Sequence, residues 1–211
     1  MQLLDDLQRE HERIERVLGA FRTWADRFVS GQAPHGDLDS FLAFFQLYAG
    51  AFHHEREEEI LFPALTGEAQ LPGDRGPLAV LLDDHARMAE LLVAMRAASD
   101  PAAICTLVRD YSHALWAHID VENSVLFPES ENQLRRNGIL ELTGRGETDS
   151  ERELGHLGDL LAERYPPAYP DAIRGDGCVM CHAYGDGCRG LEREWWNEWE
   201  WEEMAEHVAA S

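Results

Sequence analysis

Lysine is absent from this chain. Its 18 basic residues are all arginine and face 40 acidic ones, for a net charge of −22 over 211 residues. A phosphate backbone or an anionic bilayer needs a basic face, so neither nucleic acid nor a membrane surface is an expected partner. Also missing is any apolar run of the ~20 residues that would span a bilayer, and the opening MQLLDDLQREHERI holds no apolar signal segment. A cytoplasmic location is the resulting expectation. Cysteine is scarce: Cys105 stands alone, while Cys178, Cys181 and Cys188 share one loop. In a reducing compartment such a loop speaks of metal or redox chemistry rather than disulfides. Period-two alternation is lacking too, which excludes a sheet from the region before Asn137.

What the chain does contain is a motif that occurs twice. His-x-x-x-Glu-x-x-x-Leu-Phe-Pro reads His53, Glu57, Leu61-Phe62-Pro63 and again His118, Glu122, Leu126-Phe127-Pro128. Residues four apart lie above one another on a helix, so each copy stacks an imidazole on a carboxylate. Each copy also has a forerunner. His11 is framed by Leu4, Leu7, Ile14 and Leu18, and His85 by Leu78, Leu81, Met88 and Leu92, at the same four offsets. Those frames are the buried stripes of amphipathic helices and turn both histidines inward. An acid precedes each, Glu10 and Asp84. The pattern is a duplicated helical hairpin.

The punctuation agrees. Helices are expected from about Leu3 to Val29, stopping at Ser30-Gly31; from Asp37 or Asp39 to about Leu65; from Leu78 to Ala98; and from the Asp100 cap and Pro101 to Arg136. Pro63 and Pro128 lie inside two of them and should kink or locally break the winding. Four long helices with short connections imply an all-α, up-down-up-down four-helix bundle over residues 1–136, with a core suited to a metal site. Residues 137–211 read as an accessory segment: a helix over Ser150–Tyr165, the Cys-rich loop, and an acidic helix carrying Trp195, Trp196, Trp199 and Trp201 that suits packing on the bundle or a homodimer contact.

Four His and two Glu suit a pair of first-row transition metals, with carboxylates bridging ions about 3.5–4 Å apart. Two octahedral ions offer twelve positions. Four His, two bridging Glu and one bridging oxide or hydroxide leave two open, and a fifth His would leave one. The repeat selects His53 and Glu57 over the neighbouring pair His54 and Glu58, whose counterparts in the second copy are Ile119 and Asn123. His54 is then a supporting group or a further ligand. His113, five residues before His118, points elsewhere on its helix and is a weaker candidate. Buried together without a metal, the four repeated His and two Glu would carry too much unpaired polarity.

Glu10-His11, His53-His54 with Glu57, Asp84-His85, and His118 with Glu122-Asn123 before Leu-Phe-Pro together resemble the hemerythrin-like (HHE cation-binding) family over residues 3–130. The resemblance implies a four-helix bundle around two non-haem iron ions, held by His11, His53, Glu57, His85, His118 and Glu122. It also implies dioxygen, nitric oxide or peroxide as the small ligand. Oxygen carriers of the family use five His. With four assigned, a more open and reactive centre is expected, a di-iron oxidoreductase included, with its electron donor unknown. A module that senses iron or oxygen and signals through its C-terminal segment, or an iron store, are the alternatives. In the Cys loop, Cys178, Cys181 and Cys188 with His182 or His207 match a tetrahedral Zn²⁺ site. Cys178 to His182 also spell the attachment motif of c-type haem, and the C-x-x-C pair fits a redox dithiol.

Overall fold

The computed structural model describes residues 1–74 and 76–167. Those residues are helical, with no strand among them. No described helix is long and apolar enough to cross a membrane. The first rod, α1 (Gln2–Val29), ends at Ser30, and Gly31 takes the left-handed conformation (φ 75°) that turns the chain back. The second rod is wound in four pieces: α2 (Asp37–Ala43), a π-helical stretch Phe44–His54, a π-helical turn Glu57–Leu61, and α3 (Phe62–Gly67). The third is α4 (Gly76–Ala97). The fourth comprises α5 (Pro101–Val121), a π-helical turn Glu122–Leu126, and α6 (Phe127–Arg136). Asp100 caps it as the sequence predicts, its carboxylate accepting from the Ala103 amide at 2.9 Å.

α1 packs on α5 and on the Phe44–His54 stretch, and α4 packs on the same two, so the four rods close a ring. The helical frames divide cleanly along it. Leu4, Leu7, Leu78 and Leu81 join an apolar cluster at one end, with Leu61, Phe62, Leu126 and Phe127. Ile14, Leu18, Met88 and Leu92 join a second cluster at the other, around Phe21, Phe45 and Tyr111. His11 and His85 sit between the two, in a polar layer walled by oil above and below.

Pro63 and Pro128 do not end their rods. Proline lacks an N–H and its ring crowds the carbonyl four residues back. In both copies the backbone meets this with a π turn just upstream, Glu57–Leu61 and Glu122–Leu126, beginning on the motif glutamate. The wider i→i+5 closure is the local break anticipated from the sequence, expressed as a change of winding. Such insertions favour functional sites.

A fifth helix, α7 (Asp149–Arg164), opens with a capping box in which Thr148 and Glu151 satisfy each other's backbone amides. It lies against α1, α2 and the Phe44–His54 stretch. Close approach depends on Gly158, where a Cβ would stand 2.5 Å from the Phe44 ring and 2.9 Å from Val17. Arg16 pairs with Asp159, and Arg164 with Asp37 at 3.0 Å. The Cys loop, with Cys178, Cys181, His182 and Cys188, and the tryptophan-rich tail lie outside the described residues.

Candidate metal centre

The polar layer gathers seven side chains into two buried groups. His54, Glu57, His85 and His118 form one; His11, His53, Glu57 and Glu122 form the other. Within each, one ligand atom per residue lies within 4.8 Å of all the rest. Glu57 belongs to both. Its Oε1 is 3.4 Å from His53 Nε2 and its Oε2 is 3.6 Å from His85 Nε2, so the carboxylate spans the groups. Glu122 spans them with a single atom, Oε2, 3.3 Å from His11 Nε2 and 3.2 Å from His118 Nε2.

The back of each repeated imidazole meets an oxygen. His11 Nδ1 lies 2.8 Å from Asn123 Oδ1, His53 Nδ1 is 2.9 Å from Glu10 Oε2, and His85 Nδ1 is 2.7 Å from Glu58 Oε1. His118 Nδ1 stands 3.7 Å from Asp84 Oδ2. These contacts follow the duplication and cross between helices. Glu10 and Asp84, which precede one histidine, serve the histidine of the next rod; Asn123 and Glu58, which follow a motif glutamate, serve the histidines of the first and third rods, His11 and His85. The Phe of each Leu-Phe-Pro does likewise: Phe127 stacks on His11 with centroids 5.4 Å apart, and Phe62 on His85 at 6.3 Å. Position off its own histidine's face is what aims each acid at a neighbour's.

With the Nδ1 hydrogens of His11, His53 and His85 given to these oxygens, and that of His118 turned toward the Asp84 carboxylate, the Nε2 lone pairs turn inward. They face one another, His11 to His53 at 2.9 Å and His85 to His118 at 3.0 Å. Opposed lone pairs at that range repel unless a cation lies among them. The carboxylates tell the same story. Glu57 and Glu122 are 0% exposed, and none of their four oxygens has a hydrogen-bond partner. Burial, and then the Glu122 charge, hold the Glu57 carboxyl well above its usual range. Burial opposes ionisation of Glu122 as well, but His118 and His11 outweigh it and leave its carboxyl lowered. One proton for two carboxylates is the familiar compromise of a like-charged pair, and a multivalent cation removes the need for it. His53 and His54 are pushed well below the ordinary imidazole range by burial and by the neighbouring rings, so both are neutral, the form that coordinates. For His118 burial acts downward, but Glu122 and Asp84 prevail and raise it. Glu10 is raised to about 7 by burial, partly offset by its bond to the Arg56 guanidinium.

This donor set fits a metal pair. A family profile described as the hemerythrin HHE cation-binding domain matches residues 2–130. The chain belongs to the hemerythrin HHE family. No curated protein and no solved structure matches it. As a member of that family with a buried His/Glu cluster of this kind, it is a metal-binding, hemerythrin-like protein.

Of the residues singled out by the sequence, His11, His53, Glu57, His85, His118 and Glu122 all stand in this hemerythrin-like centre. His113 is exposed and outside both groups, as are His35 and His156. His54 is the residue that alignment of the two motifs set aside, and it stands in the centre. Its ring stacks on His85 with centroids 3.9 Å apart, and its Nε2 is buried without a hydrogen-bond partner. Two features put it there. The π winding of Phe44–His54 takes a smaller angular step per residue than the about 100° of an α-helix. The centre is also two groups wide, so His53 turns toward α1 and His54 toward α4, and both reach it. The adjacent His53-His54 pair was the available signal, ranked below the repeated set because the second copy has Ile119.

Proposed function

We propose that this hemerythrin-like chain holds a non-haem di-iron centre through five imidazoles and two bridging carboxylates, and that it binds a small ligand such as O₂, NO or peroxide there. The observation that carries the reading is His54. Its unpaired Nε2, grouped with Glu57, His85 and His118, raises the imidazole count from four to five. By the coordination arithmetic given above, five leave one position for an incoming molecule. That supports ligand binding over the more open, reactive centre that four would give.

An iron pair supplies a ferrous/ferric couple at which such ligands are bound or reduced. The protein's part is to fix and insulate it. His54, His85 and His118 would hold one ion and His11 and His53 the other, with Glu57 and Glu122 between them. Asn123, Glu10 and Glu58 orient the rings and raise their basicity by accepting from Nδ1. The apolar clusters bound the layer above and below and lower the dielectric around it, which strengthens each electrostatic contact within it.

The test is to purify the chain, quantify its iron, and record its visible spectrum before and after anaerobic reduction and readmission of air. About two irons per chain, with near-ultraviolet absorption that bleaches on reduction and returns with air, is the expected outcome. A colourless protein that takes up no added ferrous iron would refute the proposal.

A further inference from the structure

A cavity reaches the centre from the side of His54 and His85. It measures about 420 Å³, and those two rings form its inner end. Phe45, Met88, Leu92 and Tyr111, all buried, make the walls. Ala89, Val93 and Gln46 lie at the exposed rim with Arg96. A water-sized guest needs only about 10–15 Å³ of such space. The cavity therefore exceeds the needs of a diatomic ligand more than tenfold and falls in the range of sites for organic molecules.

Its charge is equally distinctive. Acids outnumber bases 40 to 18 in this chain, yet among the described residues lining the cavity there is no carboxylate and one arginine. Arg96 reaches across the mouth from α4 to the Gln46 amide oxygen at 3.2 Å, a neutral partner. In the cleft on the other side of the centre, by contrast, Arg13 and Arg56 lie among Asp6, Glu10 and Glu147, which already answer their charges. A guanidinium bonded to an amide keeps its charge available for a carboxylate.

We infer that the cavity is a binding site for an amphipathic monocarboxylate of medium chain length, its carboxylate paired with Arg96 and its apolar body lying along Phe45, Met88 and Leu92 toward His54 and His85. The inference rests on the metal-centre reading only in making that inner end the wall of the centre. There the bound chain screens the two rings from water.

Octanoate is the probe. Calorimetric titration of the purified full chain is expected to show one saturable site. Arg96→Glu should weaken it about tenfold to a hundredfold, as for loss of a hydrogen bond to a charged group. Octanol should bind more weakly than octanoate by a similar factor, and Ala89→Trp, which fills the rim, should abolish binding. Arg96 and Ala89 are exposed, so neither change disturbs the core. Absence of saturable binding up to the solubility limit, equal affinity for octanol, or indifference to Arg96→Glu would overturn the inference. Iron content of the same samples separates the two proposals. Octanoate binding by a chain that takes up no iron sustains the site and refutes the di-iron reading; iron uptake without octanoate binding does the reverse.

Discussion

Replacing His54 with leucine should change stability in opposite directions according to whether metal is bound. The Nε2 of His54 is buried with no hydrogen-bond partner among the protein's own groups, so without a metal nothing answers it. An unsatisfied buried polar group costs about 1–3 kcal/mol, and leucine removes it at similar length. The gain is trimmed by the lost stacking on His85, whose ring centroid lies 3.9 Å away. For a protein of this size each kcal/mol moves the melting temperature by about 2–4 °C, so His54→Leu measured with excess chelator should melt several degrees above wild type. In the loaded protein, on the five-imidazole proposal, the same change deletes a ligand. Loss of a residue that merely orients a ligand lowers metal affinity by roughly 10–100-fold, so loss of the ligand itself should reach at least the upper figure. A hundredfold is about 2.7 kcal/mol of lost stabilisation, which more than cancels the gain. The assay is a pair of thermal melts, with chelator and with saturating ferrous iron under argon, alongside iron analysis. If His54→Leu shifts both melts upward and leaves the iron content unchanged, His54 is a stacked core histidine and the five-imidazole centre is wrong.

Four further outcomes follow from the same geometry. Glu57→Gln should scarcely alter the metal-free melt, because burial and Glu122 already favour the neutral, amide-like carboxyl, but it should lower iron content well below that of wild type. Asn123→Leu removes the oxygen behind His11 and should weaken iron binding roughly 10–100-fold in competition with a coloured chelator, without abolishing it. The Glu151 carboxyl is depressed to about 2 by Arg145 and the Thr148 cap. Its contribution to holding α7 is therefore present above the ordinary carboxylate range and lost as the pH falls toward about 2, so amide exchange in α7 should accelerate on acidification, and less so in Glu151→Gln. Gly158→Val sets a branched side chain against Phe44 and Val17 and should cost about 1–3 kcal/mol by overpacking, read by chemical denaturation.

Much of this architecture was legible because the duplication repeats its own punctuation. Ser30-Gly31, Asp100-Pro101 and the apolar frames of His11 and His85 each specify a local conformation that packing then keeps. What escaped was written in winding and in helix-to-helix geometry. A step of about 100° per residue separates His53 from His54 on any α-helical projection, and nothing in Phe44–His54 announces a π-helical backbone. Glu10 and Asp84 lie about 100° off the face of the histidine next to them on an α-helix, and their partners lie on another rod. Asn123 entered as a mismatch to Glu58 and as part of the family motif without a role, although both are acceptors for a histidine across the ring. The purpose of Leu-Phe-Pro was likewise hidden: Phe62 and Phe127 back the rings of His85 and His11, which no spacing along one helix reveals.

That crosswise exchange bears on how such a protein comes into being. Each hairpin supplies half of what the other hairpin's histidines require, so neither is a finished site alone. A solitary hairpin would present two or three imidazoles and one carboxylate on an open apolar face, and it would find its missing acceptors and aromatic backing only on a second copy of itself. Joining two hairpins in one chain supplies that partner directly. Ile119 and Asn123 stand where the first half has His54 and Glu58, so the two halves are not identical. The lopsided layer, with three imidazoles on one side and two on the other, is a freedom that halves joined in one chain have and two identical hairpins would not.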